Sequence, residues 1–155
     1  MPKADSPEAT QAVEALVQAA RTLLDVDPDR LALLGHSRGG GATLHYLLKA
    51  TDVQAAVLDS AGYPDELKHR VSQVKIPILI LHGTADSPAD GGSVVTSAQN
   101  ARNFEAALRQ AGKSVEVKYY EGGRHNSIFT SSAQRDDEVH QVVTFLRRLA
   151  QTDRR

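Results

Sequence analysis

Leu31-Ala32-Leu33-Leu34-Gly35-His36-Ser37-Arg38-Gly39-Gly40-Gly41 decides how the rest of the chain reads. Its first four residues are apolar without alternation, the pattern of a strand buried on both faces, and the run stops at a glycine. The further glycines lead into a helical stretch at 42–49. A strand that becomes a helix within two residues must turn sharply. The spacing of Gly35, Ser37 and Gly39 therefore predicts a turn with no room for a Cβ on either side of the serine. Such a turn lifts the Ser37 hydroxyl above the carboxyl end of a sheet. The backbone N–H of Arg38, at the start of the new helix, then points to where an oxyanion would form.

Working outward, Ala12, Val13, Leu16, Val17, Ala20, Leu23 and Leu24 recur at helical spacing after Ser6-Pro7-Glu8, and Asp27-Pro28-Asp29 ends that helix. Residues 53–58 and 76–81 are two more continuous apolar runs, each expected to be an interior parallel strand. Ala101, Phe104, Ala107, Leu108 and Ala111 mark a helix closed by Gly112, and 115–120 reads as a fourth strand. The last helix carries Val139, Val142, Val143, Leu146 and Leu149, with Asp136, Asp137 and Glu138 at its positive end and Arg147 and Arg148 at its negative end. This order predicts an α/β fold: a small parallel sheet of about four strands with helices on both faces, as a single domain over 1–155. A nucleophile strand at the sheet edge would leave one apolar flank and a row of backbone groups uncovered. Cover by the first helix or by a second subunit is expected, which makes the protein a homo-oligomer.

Composition narrows the function classes. The 155 residues hold 18 Lys+Arg against 19 Asp+Glu, a net charge of -1, which argues against a binder of nucleic acid or anionic membrane. At 41% hydrophobic and 24% charged, the chain has the make-up of an ordinary globular protein. No cysteine is present, so disulfides and thiolate metal sites are excluded. Met1-Pro2-Lys3-Ala4-Asp5-Ser6-Pro7 lacks the apolar core of a secretory signal, and no run approaches ~18 apolar residues. A soluble, cytoplasmic protein is expected.

A serine becomes a nucleophile only with a base, and the base needs an orienting carboxylate. The third strand ends Leu81-His82-Gly83-Thr84-Ala85-Asp86, and the fourth ends Tyr120-Glu121-Gly122-Gly123-Arg124-His125. In a parallel sheet both loops fall on the same edge as Ser37. With these three motifs in order, the chain resembles the carboxyl-terminal part of an α/β-hydrolase, nearest to the dienelactone-hydrolase and prolyl-oligopeptidase-like branch. The matching pieces are Asp29-Arg30-Leu31 leading to Gly-His-Ser-Arg-Gly-Gly, the Leu-His-Gly-x-x-Asp strand end, and Gly-x-x-His before a final helix. The resemblance implies Ser37 as nucleophile, Asp86 as triad acid and His125 as base. It further implies hydrolysis of a carboxylic ester, thioester or amide through an acyl-enzyme, without a cofactor; separately, no histidine has metal-ligand spacing with Asp or Glu, so no metal site is expected. The leading expectation is a carboxylesterase on small esters; the alternatives are an inactive hydrolase-like domain or fragment, or a peptidase or acyltransferase built on the same triad.

Two other carboxylates compete for the acid's place. Asp90 lies in a loop, Ser87-Pro88-Ala89-Asp90-Gly91-Gly92, that departs from the family's usual spacing, and Asp59 ends the second strand. Only one helix precedes Leu31, where family members carry several strands and the loop that supplies a second oxyanion donor. Arg38 N–H is the one donor assignable here. His36 and His82 read as structural, with the His36 side chain turned back into the sheet, and His45, His69 and His140 as surface residues. The Arg38 guanidinium reads as a solvated ion-pair partner. Residues 60–75 are too few for a helical cap, so the site should be open. Tyr63 and Pro64 are the candidates for lining it, and 5% aromatic residues with no tryptophan favour short-chain substrates.

Overall fold

The computed structural model describes residues 3–50 and 52–152; Met1, Pro2, Thr51 and residues 153–155 lie outside it. Helix α1 (Pro7–Arg21) precedes β1 (Ala32–His36), α2 (Arg38–Leu47), β2 (Ala55–Asp59), the short α3 (Asp65–Lys68), β3 (Ile78–Gly83), α4 (Ala98–Gln110), β4 (Val115–Tyr120), the short α5 (Ser127–Thr130) and α6 (Ser132–Thr152). The four strands form one parallel sheet in the order β1-β2-β3-β4, with His36 opposite Asp59 and Gly83 opposite Tyr120. The continuous apolar runs are the central strands: every residue of β2 and β3 is buried. Edge strands β1 and β4 are buried only in part.

The two faces are unequally covered. On one, Leu44 and Leu47 of α2, Val17 of α1, and Phe104 and Leu108 of α4 pack against Ala56, Leu58, Ile78 and Ile80. On the other, α6 alone supplies the cover, with Phe145 and its neighbours Val142, Leu146 and Leu149 against Ala55, Val57, Leu79 and Leu81. The expectation that Val139 and Val143 share this stripe is corrected: they are 56% and 38% exposed. Asp137 and Arg148 reach Tyr120 and Glu116 of β4. At about 100° per residue, Val139 and Val143 then lie on the opposite flank of α6, toward the β1 side, where the sheet ends.

Two further boundaries differ from the sequence reading. Helix α1 closes at Arg21, because Thr22 donates both its N–H and its hydroxyl to the Ala19 carbonyl; Leu23 and Leu24 fall beyond it and are exposed. Helix α6 begins at Ser132, so Asp136, Asp137 and Glu138 sit in its second turn, and Glu138 is buried. Among the described residues, no helix is long and apolar enough to cross a membrane.

Candidate active site

Ser37 is the residue between β1 and α2 and takes φ 53° and ψ −118°, a backbone state rare for a residue with a Cβ. Its side chain does not cap α2, so the hydroxyl is available to a partner elsewhere. The glycines that permit the turn are not the pair expected. A Cβ at Gly35 would stand 2.6 Å from the Gly39 carbonyl carbon and the Gly40 nitrogen. One at Gly40 would stand 2.5 Å from Ala61 Cβ. Gly39 meets nothing within 4 Å, so the tight contacts are at Gly35 and Gly40.

The loops after β3 and β4 carry the other two groups and are fastened to each other. Thr84 N–H donates to Tyr120 O and Ala85 N–H to Gly123 O, both at 2.9 Å. A Cβ at Gly83 would lie 2.1 Å from Gly123 O, so only glycine allows the loops to pack backbone to backbone. Asp86 and His125 are thereby delivered side by side. His125 Nδ1 lies 2.8 Å from Asp86 Oδ2, and His125 Nε2 lies 2.8 Å from Ser37 Oγ. With Nδ1–H donating to the carboxylate, Nε2 is left to accept the Ser37 hydroxyl proton. His125 and Asp86 are 3% and 4% exposed, so the relay is shielded except at the serine. Thr96 donates its hydroxyl to Asp86 Oδ1 at 3.3 Å, while Gly92 leaves room for that oxygen, which a Cβ would meet at 2.2 Å.

The competing carboxylates are engaged elsewhere. Asp90 pairs with Arg124 at 3.2 Å and accepts from Ser87, and Asp59 lies 2.6 Å from His36 Nδ1. His82 is completely buried and donates Nε2–H to Thr96 O at 2.7 Å; burial lowers its pKa and keeps it neutral. His36 is half-buried beside Phe129 and His125 rather than turned fully into the sheet. His69 and His140 are exposed, but His45 is half-buried and lines the cleft.

Tyr63 is corrected: it is 0% exposed, stacks on Phe104 at 4.9 Å, and takes no part in the cleft. Its hydroxyl has no hydrogen-bond partner, and burial pushes its pKa well up. The other candidate, Pro64, does line the cleft, and so does Gly62. The cleft itself measures about 660 Å³ and is lined by Ser37, Arg38 and His125 together with Glu66 and Val95. Arg38 is the first residue of α2, and the first intrahelical bond runs from Gly41 N–H to Ser37 O. The Arg38 N–H is thus one of the helix-start donors without an intrahelical acceptor. Among the described residues, no three His, Asp or Glu side chains converge as metal ligands.

The sequence pattern of the dienelactone hydrolase family matches residues 1–147. Over 64 residues, 41% of this chain and 23% of the relative, the sequence is 38% identical to Cutinase 2 of Thermobifida cellulosilytica. Among solved structures, a putative dienelactone hydrolase from Klebsiella pneumoniae superposes with a TM-score of 0.74 at 18% identity, covering 88% of this chain and 59% of that one. The acylaminoacyl peptidase of Pyrococcus horikoshii superposes with a TM-score of 0.77 at 16% identity, covering 93% and 28%. The chain thus spans less than two thirds of each of these proteins, and the two structural likenesses establish the α/β-hydrolase fold.

Proposed function

The chain belongs to the dienelactone hydrolase family, and on that premise we propose that it is a serine hydrolase cleaving small carboxylic esters. The observation that carries the reading is the continuous hydrogen-bonded line Ser37–His125–Asp86, with 2.8 Å at each step. Ser37 Oγ attacks the ester carbonyl carbon while its proton passes to His125 Nε2. The Asp86 carboxylate, already bonded to Nδ1–H, holds the ring in the tautomer that can accept and stabilises the imidazolium. The carbonyl oxygen, now negative, is met by the Arg38 N–H. Collapse expels the alcohol, which takes its proton from His125, and leaves an acyl group on Ser37. Water, deprotonated by His125, repeats the sequence and releases the acid.

The cleft supports a small substrate: apolar contacts come from Pro64 and Val95, and charged or titratable side chains from Arg38, Glu66 and His45 stand at the same wall. The likeness to a protein named cutinase favours ester over amide. The test is the initial rate on p-nitrophenyl acetate for wild type and Ser37→Ala, with fluorophosphonate labelling of both. Turnover and labelling confined to wild type are expected. Equal, background-level rates with no labelling would sink the reading and leave a hydrolase-like domain without turnover.

A further inference from the structure

Beside the relay stands a second histidine–carboxylate pair that the reaction above does not use. His36 ends β1, Asp59 ends β2, and the strand register sets them opposite each other, so the sheet itself builds the contact. His36 Nδ1 lies 2.6 Å from Asp59 Oδ2, and Asp59 is 1% exposed. The His36 ring centroid is 5.3 Å from that of His125, and Phe129 meets it edge-on at 5.0 Å. From α6 comes Glu138, also 1% exposed: one carboxylate oxygen accepts from Gln134, and the other has no partner.

We infer that His36 is a positioning residue of the relay: held by Asp59, it flanks the His125 ring and sets a positive charge beside it that opposes protonation of His125. The inference rests on the reading of Ser37, His125 and Asp86 as the catalytic groups. The groups that bear on the two rings are Asp59 from β2, Glu138 from α6, Asp86 behind His125, the buried His82 of β3, whose Nε2 lies 3.4 Å from Asp86 Oδ2, and the uncharged Asn126, a hydrogen-bond partner of His36 next to His125 itself. Burial works against a charged His36, but the Asp59 hydrogen bond and charge, with Asn126 and Glu138, outweigh it, and its pKa is raised. His36, bonded to the buried Asp59 carboxylate at 2.6 Å, thus keeps its proton to higher pH than a free imidazole. With ring centroids 5.3 Å apart, a positive charge on either imidazole disfavours one on the other.

The sign follows. Replacing His36 by a neutral side chain removes the nearer cation and leaves the buried Asp59 carboxylate, so a protonated His125 is favoured and the base form needs a higher pH. The experiment is the pH profile of kcat/KM for wild type and His36→Gln, with the His125 ring followed by NMR titration in both. In His36→Gln the acid limb and the His125 midpoint should rise together by ~0.5–1 pH unit, a shift on the scale of one charge removed at about 5 Å from a partly solvated site. Asp59→Asn provides the second variant: it leaves His36 unpaired and neutral, and should move both readings the same way by less. A uniform fall in kcat with limb and midpoint unmoved would overturn the inference and reduce His36 to a structural contact. Should wild type show no esterase activity, the NMR midpoints still decide whether the two rings are coupled, so the failures of the two readings are distinguishable.

Discussion

The glycines around Ser37 yield the sharpest test of the fold's local logic, because three neighbours in one turn are assigned different consequences. Alanine at position 40 must place its Cβ 2.5 Å from Ala61 Cβ and 2.8 Å from Gly35 O, and alanine at 35 must place it 2.6 Å from backbone atoms of Gly39 and Gly40. Backbone cannot swing aside as the end of a flexible side chain can, so α2 has to move off β2, at a cost on the scale of core overpacking, ~1–3 kcal/mol. For a chain of this length that corresponds to a melting temperature lower by ~2–12 °C. Alanine at 39 meets nothing within 4 Å. It sits in the first turn of α2, where exchanging glycine for alanine gains up to ~1 kcal/mol by removing freedom from the unfolded chain. Gly39→Ala should therefore melt at or slightly above wild type, and Gly35→Ala and Gly40→Ala well below it, as read by circular dichroism or scanning calorimetry. Destabilisation by Gly39→Ala equal to that by Gly40→Ala would refute the reasoning, since it would mean that the motif's outer glycine, not the helix–sheet contact, sets the turn.

The remaining expectations concern the relay, the buried acid and the open edge. Asp86→Asn presents an amide to His125 Nδ1 and favours the tautomer that cannot accept from Ser37, so kcat should fall by ~10³–10⁴-fold, while Asp90→Asn, at a carboxylate paired with Arg124 and not with His125, should leave kcat at the wild-type level; a reversed order would give the acid's role to Asp90. The hydrolysis rate should climb as pH rises through loss of the base's proton, and a flat profile between about pH 5 and about pH 9 would argue against a histidine base. Burial, with Asp59 and Asp137 nearby, pushes Glu138 up to about 7 from 4.5. The folded chain then holds a proton that the unfolded one releases across that window, and stability falls as pH rises from about 4.5 to about 7. Glu138→Gln should accordingly gain in melting temperature relative to wild type on going from about pH 5 to about pH 8, and a pH-independent difference would count against the buried charge. If a second copy of the chain covers the β1 edge, light scattering after size exclusion should give a mass above that of one chain; a clean monomer at micromolar concentration would exclude it.

What the sequence disclosed and what it hid divide along physical lines. Strands β2 and β3 were legible because burial on both faces removes alternation, and the order serine, aspartate, histidine was legible because a parallel sheet returns every strand end to one edge. The Ser37–His125–Asp86 line follows from that topology. Residue-level orientation did not follow. Tyr63 and Pro64 differ by one position, yet one is sealed in the core and the other lines the cleft. Val139 and Val143 fit a helical apolar stripe, but that stripe is buried only where a sheet lies beneath it, and their side lies past β1. The His36–Asp59 pair depends on strand register, and the burial of Glu138 on helix rotation; a single sequence specifies neither.

The edge position of β1 bears on how firmly Ser37 is held. The ladder to β2 ends with Ser37 N–H donating to Asp59 O, and the two-residue alternation of a strand turns the amides of Ala32, Leu34 and His36 the other way, toward the open side. The serine thus rides on a strand fastened along one margin only. In hydrogen exchange those three amides should trade with solvent far faster than their counterparts in β2 and β3, and any partner that zips onto the margin would slow them while steadying the very turn on which the chemistry depends.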